Sequence, residues 1–147
     1  MSLVTDFWEP CWACSVLAGA RPGWIVFETG EVAVLLNPFP LNDGHSLVVP
    51  RQHIRNVYEL PDHLAGPILS AAARVARAAK QAFSADGITL RQNNDAASDQ
   101  HLFHFHLHVI PRFEGDQARF NASPREVAHS DQAAIAEQLR SALAIAG

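Results

Sequence analysis

The segment His104-Phe105-His106-Leu107-His108-Val109-Ile110 alternates polar and apolar residues with strict period two. In an extended strand, side chains at i, i+2 and i+4 share one face. The pattern predicts a strand over residues 102–110, terminated by Pro111, with Phe105, Leu107 and Val109 in the core and three imidazoles aimed the other way. One histidine so placed reads as the wet face of a sheet. Three in alternation, with apolar residues filling the opposite face, read as a site.

Two chemistries suit such a row. Neutral imidazole is the commonest metal ligand, and His-x-His on a strand chelates well. Reach limits that reading: at about 3.3 Å per residue the outer histidines stand roughly 13 Å apart, far beyond a pair of 2 Å metal bonds. At most two neighbours ligate one ion, so at least one histidine does something else. The second chemistry is nucleophilic. An imidazole attacks a phosphorus or acyl centre, and a histidine two residues away stabilises charge on the oxygens. No acidic nucleophile or Ser-His-Asp order lies nearby, so histidine itself would attack.

The rest of the chain supplies a scaffold. At 147 residues and 16.0 kDa it is expected to form one domain over 1–147. Trp24–Phe27 and Val32–Leu36 are short apolar runs split by Thr29-Gly30, a hairpin signal. Asn37–Gly44, with two prolines and a glycine, is a loop, followed by a strand at His45–Val49 stopped by Pro50. Asp62 is a plausible N-cap for an Ala-rich helix to about Phe83. Pro67 fits that helix only in its first turn or at a break. A strand at Ile88–Gln92, a polar loop at Asn93–Asp99 and an amphipathic helix at Gln132–Ile145 complete the order. Strands before and after one long helix predict an α+β domain on an antiparallel sheet, with a C-terminal helix. Residues 1–10 read as an arm, and Cys11–Ala20 as a short helix or turn.

Composition excludes several classes. With 48% hydrophobic and 18% charged residues the chain is no disordered polyelectrolyte. A formal charge of −4 and no basic run argue against a nucleic-acid or anionic-membrane surface. No apolar run approaches the ~18 residues of a membrane span, and the N-terminus lacks a basic, signal-like segment, so a cytoplasmic protein is expected. There, two cysteines are thiols or metal ligands rather than a disulfide. Cys11-x-x-Cys14 is half of a tetrahedral zinc site. With no second cysteine pair, the other half would come from histidines; a metal-free thiol pair and a redox pair are the alternatives.

His104-x-His106-x-His108-Val109-Ile110 followed by Pro111-Arg112-Phe113 resembles the signature of the histidine triad (HIT) superfamily. Upstream, Asn37-Pro38-Phe39-Pro40, Gly44-His45, Val48-Val49-Pro50-Arg51-Gln52-His53 and the loop Asn93–Gln100 are similar to the family's ordered motifs, and Cys11-x-x-Cys14 to the opening of its zinc-containing bacterial members. The resemblance covers about residues 11–113, leaving 121–147 as a C-terminal extension. It implies that His104, His106 and His108 form the catalytic segment, with His106 as nucleophile on the α-phosphorus of a nucleotide and His108 bonding phosphate oxygens and assisting the leaving group. It implies Asn37 as a ribose-binding position and Asn93, Gln100 and His101 as positions around the phosphates. It also implies Cys11, Cys14, His53 and His104 as ligands of a structural zinc, with no catalytic metal, and a homodimer. The sequence departs from the family where Asp95 and Asp99 replace the usual glycines and His101 replaces Ser or Thr. A carboxylate beside a phosphate site repels substrate unless it points away.

The implied function is a nucleotide hydrolase or transferase that releases a nucleoside monophosphate from a phosphoramidate or dinucleoside polyphosphate. The competing classes are a nucleotide-binding regulatory protein with little turnover and a zinc hydrolase ligated by His106 and His108. His45 reads as a structural turn residue, His63 and His129 as solvated, and Arg74, Arg77 and Lys80 as the wet face of a helix. Trp8, Trp12 and Trp24 read as packing residues, and Arg112 as either a phosphate contact or an exposed ion pair.

Overall fold

The computed structural model describes residues 7–116 and 129–146. Five strands, β1 (Ile25–Glu28), β2 (Val32–Leu36), β3 (Ser46–Pro50), β4 (Gly87–Arg91) and β5 (Leu107–Arg112), form one sheet in the order β1-β2-β3-β5-β4. Every neighbouring pair is antiparallel. Among the described residues, the α-helices packed with the sheet are α1 (Trp12–Leu17), α2 (Asp62–Phe83) and α3 (His129–Ala146). This is the expected α+β class. No described helix is long and apolar enough to cross a membrane.

Both faces of the sheet are covered, which explains why Val32–Leu36 is uniformly apolar and buried at all five positions. Val32, Val34, Leu36, Val48 and Val109 meet α2 and α3, where Leu64, Ile68, Ala71, Ala72, Val75, Ala136 and Leu139 are buried. Ala33, Leu35, Leu47 and Val49 face a second cluster of Trp8, Trp12, Ala13, Val16 and Leu102. Trp8 and Trp12 are thus packing residues, their rings edge to face at 5.3 Å, and Trp24 lies partly buried against the larger cluster.

Several boundaries differ from the sequence reading, each for a local reason. Asp62 is the first residue of α2 and Pro61 its cap, so the Asp62 carboxylate acts on the helix's positive end instead of closing the first turn. Pro67 lies inside α2 without ending it; the helix runs on to Ser84, whose left-handed φ of 54° stops it. Pro50 and Pro111 sit within strands rather than beyond them. Pairing of β3 with β5 ends at Ser46–Val109, so no strand lies where the Pro111 N–H would point. On that side the Asn42 amide donates to the Pro111 carbonyl at 2.8 Å.

The largest correction concerns the histidine segment. Strand β5 begins at Leu107, not Leu102. Residues 102–106 are pinned to the chain leaving β3 instead: the Phe105 N–H donates to the Ile54 carbonyl at 2.6 Å. Side-chain alternation survives the loss of strand pairing, since Phe105, Leu107 and Val109 all join the α2-facing core. The extension predicted at 121–147 lies partly outside the described residues, as does the side chain of His129; His63 is exposed.

Candidate functional site

Cys11 caps α1, and its Sγ accepts from the Cys14 N–H at 3.4 Å, so the x-x spacing at a helix start sets both thiols on one side. His53 follows β3, and His104 comes from the pinned segment. Their donor atoms converge: Cys11 Sγ–His104 Nδ1 is 3.4 Å, Cys14 Sγ–His53 Nδ1 3.4 Å, Cys14 Sγ–His104 Nδ1 3.5 Å and His53 Nδ1–His104 Nδ1 3.1 Å. All four lie within 4.8 Å of one another. Bonds of about 2.3 Å to sulfur and 2.0–2.1 Å to nitrogen give a zinc tetrahedron edges of about 3.3–3.8 Å, so the set fits zinc. The outer shell agrees. His104 Nε2–H donates to the Pro50 carbonyl at 2.7 Å, which leaves the Nδ1 lone pair turned inward. Burial, then the neighbouring Cys11, pushes the Cys14 thiol up to about 11, so without a cation that thiol keeps its proton. Four protein ligands leave no open position, which makes such a zinc structural.

A second group begins one residue away. The main-chain carbonyl of His104 accepts from His106 Nδ1–H at 2.8 Å, and this puts the free lone pair on His106 Nε2. The His106 and His108 rings lie 5.0 Å apart. His45 completes the set. Its Nδ1 accepts from the Leu41 N–H at 3.0 Å, so its own proton sits on Nε2 and is donated to His108 Nδ1 at 2.9 Å. His108 therefore presents an N–H at Nε2. The Asn37 amide nitrogen, 3.3 Å from His45 Nε2, is the longer and lesser contact.

His45 is thus no mere turn residue, as it is 3% exposed and holds His108 in one tautomer. Its sequence signal was a lone histidine after Gly44. Gly44 has φ +87°, and a Cβ there would stand 2.4 Å from the Phe83 ring, so that turn admits only glycine. Burial holds all three imidazoles neutral. It takes His45 down to about 3, helped by His106, and lowers His106 against the pull of the His104 carbonyl, with His101 adding to the effect. His108 falls well below its usual value through burial, then the charges of His106, His45 and Arg91.

Most of the other expected site residues are engaged in hydrogen bonds of their own. Asn37 Oδ1 caps its own loop through the Phe39 N–H at 2.9 Å, and its carbonyl accepts from Gln132 of α3 at 2.9 Å. Asn93 Nδ2 spans the loop to the Ser98 carbonyl at 2.6 Å. Gln100, 2% exposed, donates to the Arg55 and Leu102 carbonyls and accepts from the Asp95 N–H. These side chains shape the 93–100 loop. His101 stands exposed at its end, next to the buried Leu102. Asp95 and Asp99 take left-handed φ values of 72° and 65°, the conformation that explains glycine at such positions. Asp95 accepts from the Tyr58 hydroxyl at 2.9 Å, and Asp99 lies 3.8 Å from Arg91. Arg112 is held by Asp116 in a two-point fork of 2.7 and 2.8 Å, which answers the question left open for it in favour of an ion pair.

Comparison with known proteins agrees with this geometry. The HIT domain family matches residues 19–115. The chain is 38% identical over 109 residues to the protein called hit of Bacillus subtilis, covering 74% of this chain and 75% of that one. It is 33% identical over 106 residues to adenylylsulfatase HINT3 of Arabidopsis thaliana, covering 72% of this chain and 54% of the plant protein. Among solved structures, a Zn-bound histidine triad family protein from Mycobacterium smegmatis superposes with a TM-score of 0.81 at 31% identity, over 92% of this chain and 94% of that one. The chain belongs to the HIT family, among the members whose Cys-x-x-Cys pair and two histidines form a zinc-type donor set.

Proposed function

We propose that the protein is a nucleotide hydrolase or transferase that passes a nucleoside monophosphate through His106. One observation carries this reading: His106 Nδ1–H is tied to the His104 carbonyl at 2.8 Å, which fixes the lone pair of a neutral, buried imidazole on Nε2. That atom attacks the α-phosphorus, a P–N bond forms, and the bond from phosphorus to the leaving group breaks with its electron pair on the leaving group. His108 Nε2–H, oriented by His45, donates to a phosphate oxygen as charge builds there. Water then attacks phosphorus and the P–N electron pair returns to His106 Nε2. The water proton passes to solvent and the monophosphate departs. Positioning and charge stabilisation supply most of the acceleration in such transfers. Cys11, Cys14, His53 and His104 would hold a zinc, which would supply rigidity to the segment that ends in the His104 carbonyl.

The Arabidopsis relative, by its name an adenylylsulfatase, supports an adenylyl group as the part transferred. The reading includes a cytoplasmic, single-domain protein working as a homodimer, without nucleic-acid or membrane partners. The P–N bond of a nucleotidyl-histidine hydrolyses in acid and survives alkali, so the test is an alkaline quench after mixing with α-labelled substrate. Label bound to the wild-type chain and absent from His106→Ala is the expected result. Equal labelling of both chains removes His106 from the reaction.

A further inference from the structure

Two side chains compete for one proton of His45. Burial takes His45 down to about 3, so near neutral pH its ring is uncharged and carries a single N–H. That N–H lies fixed in the ring plane and cannot swing as a hydroxyl does. It is not on Nδ1, which accepts from the Leu41 N–H at 3.0 Å. It is on Nε2, and Nε2 has two near neighbours: His108 Nδ1 at 2.9 Å and Asn37 Nδ2 at 3.3 Å. The chemistry of those two atoms decides where the proton is shared.

The Asn37 amide is oriented by its own loop. A backbone N–H can only donate, and that of Phe39 donates to Asn37 Oδ1 at 2.9 Å, which turns the oxygen away from His45 and the NH2 toward it. The main chain of Asn37 is fixed on both sides: its N–H donates to the His45 carbonyl at 2.9 Å, and its carbonyl accepts from Gln132 Nε2 at 2.9 Å. An amide NH2 has no lone pair to offer, so at 3.3 Å a donor faces a donor and no bond forms. Both residues are buried, where such a contact has a cost. A carboxylate of the same shape would remove that cost, holding the Phe39 N–H on one oxygen and accepting from His45 Nε2 on the other. The chain carries the amide instead.

We infer that Asn37 routes the His45 proton: by presenting a donor where a carboxylate would present an acceptor, it leaves that proton undivided on His108 Nδ1 and so keeps the His108 proton on Nε2. Asn37 is here a positioning residue, acting through His45 and then His108. The role is carried by its inward-facing NH2 and needs no contact between Asn37 and a ligand. Its consequence for catalysis rests on the transfer reading above, in which His108 Nε2–H meets a phosphate oxygen; the placement of the protons does not.

The test is nitrogen-15 NMR on histidine-labelled wild type, Asn37→Asp and Asn37→Ala, with melting temperatures to confirm folding. Long-range proton–nitrogen correlations read the tautomer of each ring, and the nitrogen–nitrogen coupling across an N–H···N bond reads how fully its proton is shared. The wild type is expected to show His108 protonated on Nε2 and a coupling between His45 Nε2 and His108 Nδ1. Both persist in Asn37→Ala, which adds no acceptor. In Asn37→Asp the coupling is expected to fall about twofold or more, because a charge-assisted acceptor is roughly twice as strong as a neutral one. An undiminished coupling in Asn37→Asp overturns the proposal, as does a wild-type His108 protonated on Nδ1. A second arm measures kcat on adenosine 5′-phosphoramidate. It is expected to fall about tenfold or more in Asn37→Asp, the range for loss of an orienting partner, and to fall less in Asn37→Ala. A residue that only caps its loop gives the reverse order, since aspartate still accepts from the Phe39 N–H and alanine does not, and that order overturns the routing role in catalysis. Absence of turnover in the wild type, with the couplings as expected, sinks the transfer reading and leaves the proton placement as assigned.

Discussion

Two clusters of side chains meet at His104 and solve opposite problems. In the cluster of Cys11, Cys14, His53 and His104, two Nδ1 atoms face each other at 3.1 Å among thiols, and the His104 proton is turned outward to Pro50. The inward His104 lone pair beside two thiols and a second imidazole makes a donor set suited to a cation. In the cluster of His45, His106 and His108, each ring has a proton placed between it and a partner: Leu41 to His45, His45 to His108, His106 to the His104 carbonyl. That group needs no metal. The same residue type on one segment is suited to hold a metal or to attack phosphorus according to what its other ring nitrogen meets.

The sharpest way to break the comparison is to remove one ring from each cluster. His106→Ala is expected to lower kcat by about a thousandfold or more, as loss of an attacking group does, while zinc content measured on the same preparation stays at one per chain. A matching loss of zinc would show the two clusters to be one unit. Next in size, stripping the metal with a chelator, or Cys14→Ser, is expected to lower unfolding free energy by about 3–4 kcal/mol where free zinc had stood at several hundred times its Kd. Denaturant titration with and without added zinc measures it, and no shift would mean that the cluster is held without metal.

A smaller effect is expected from His45→Gln, which leaves the metal-type donor set, His106 and His108 in place and replaces the ring that donates to His108 Nδ1 and accepts from the Leu41 N–H. Loss of an orienting partner of this kind lowers activity about ten- to a hundredfold. The expected mark is a fall in kcat with zinc content intact; unchanged kcat would return His45 to a purely architectural role.

The smallest effect is on pH dependence. His45 and His108 are held neutral by burial, so in the unfolded chain they take up protons near pH 6.5 that the folded chain refuses. Their contribution to stability is fully present above about 6.5 and is lost as pH falls, for His45 down to about 3. Each adds a slope of about 1.4 kcal/mol per pH unit within its window. Unfolding free energies measured from pH 7 to 5 are expected to decline, and to decline less steeply in His45→Gln. Equal slopes in both proteins would mean that His45 is protonated in the fold.

Much of this was legible in residue order. The hairpin at Thr29-Gly30, the long Ala-rich helix and the inward alternation of Phe105, Leu107 and Val109 all follow from patterns a few residues long. So did the grouping of Cys11, Cys14, His53 and His104, through resemblance to a family. Less legible was anything that depended on a partner far along the chain. Treating residues 102–106 as strand failed because the Ile54 carbonyl, 51 positions away, takes the Phe105 N–H. His45 looked like a turn residue because its partner, His108, lies 63 positions on. Arg112 drew notice by standing beside the histidines in sequence, whereas Arg91 stands beside them only in the sheet.

Periodicity, composition and short motifs thus set the order of strands and helices and which face Phe105, Leu107 and Val109 take, because backbone geometry repeats over two to four residues and writes itself into local order. Only the tertiary structure decided the proton positions. The role open to a ring nitrogen turns on one contact at about 3 Å; for His104 with Pro50 and His108 with His45 that contact comes from chain segments brought together in the sheet, and for His106 from the local path of residues 104–106.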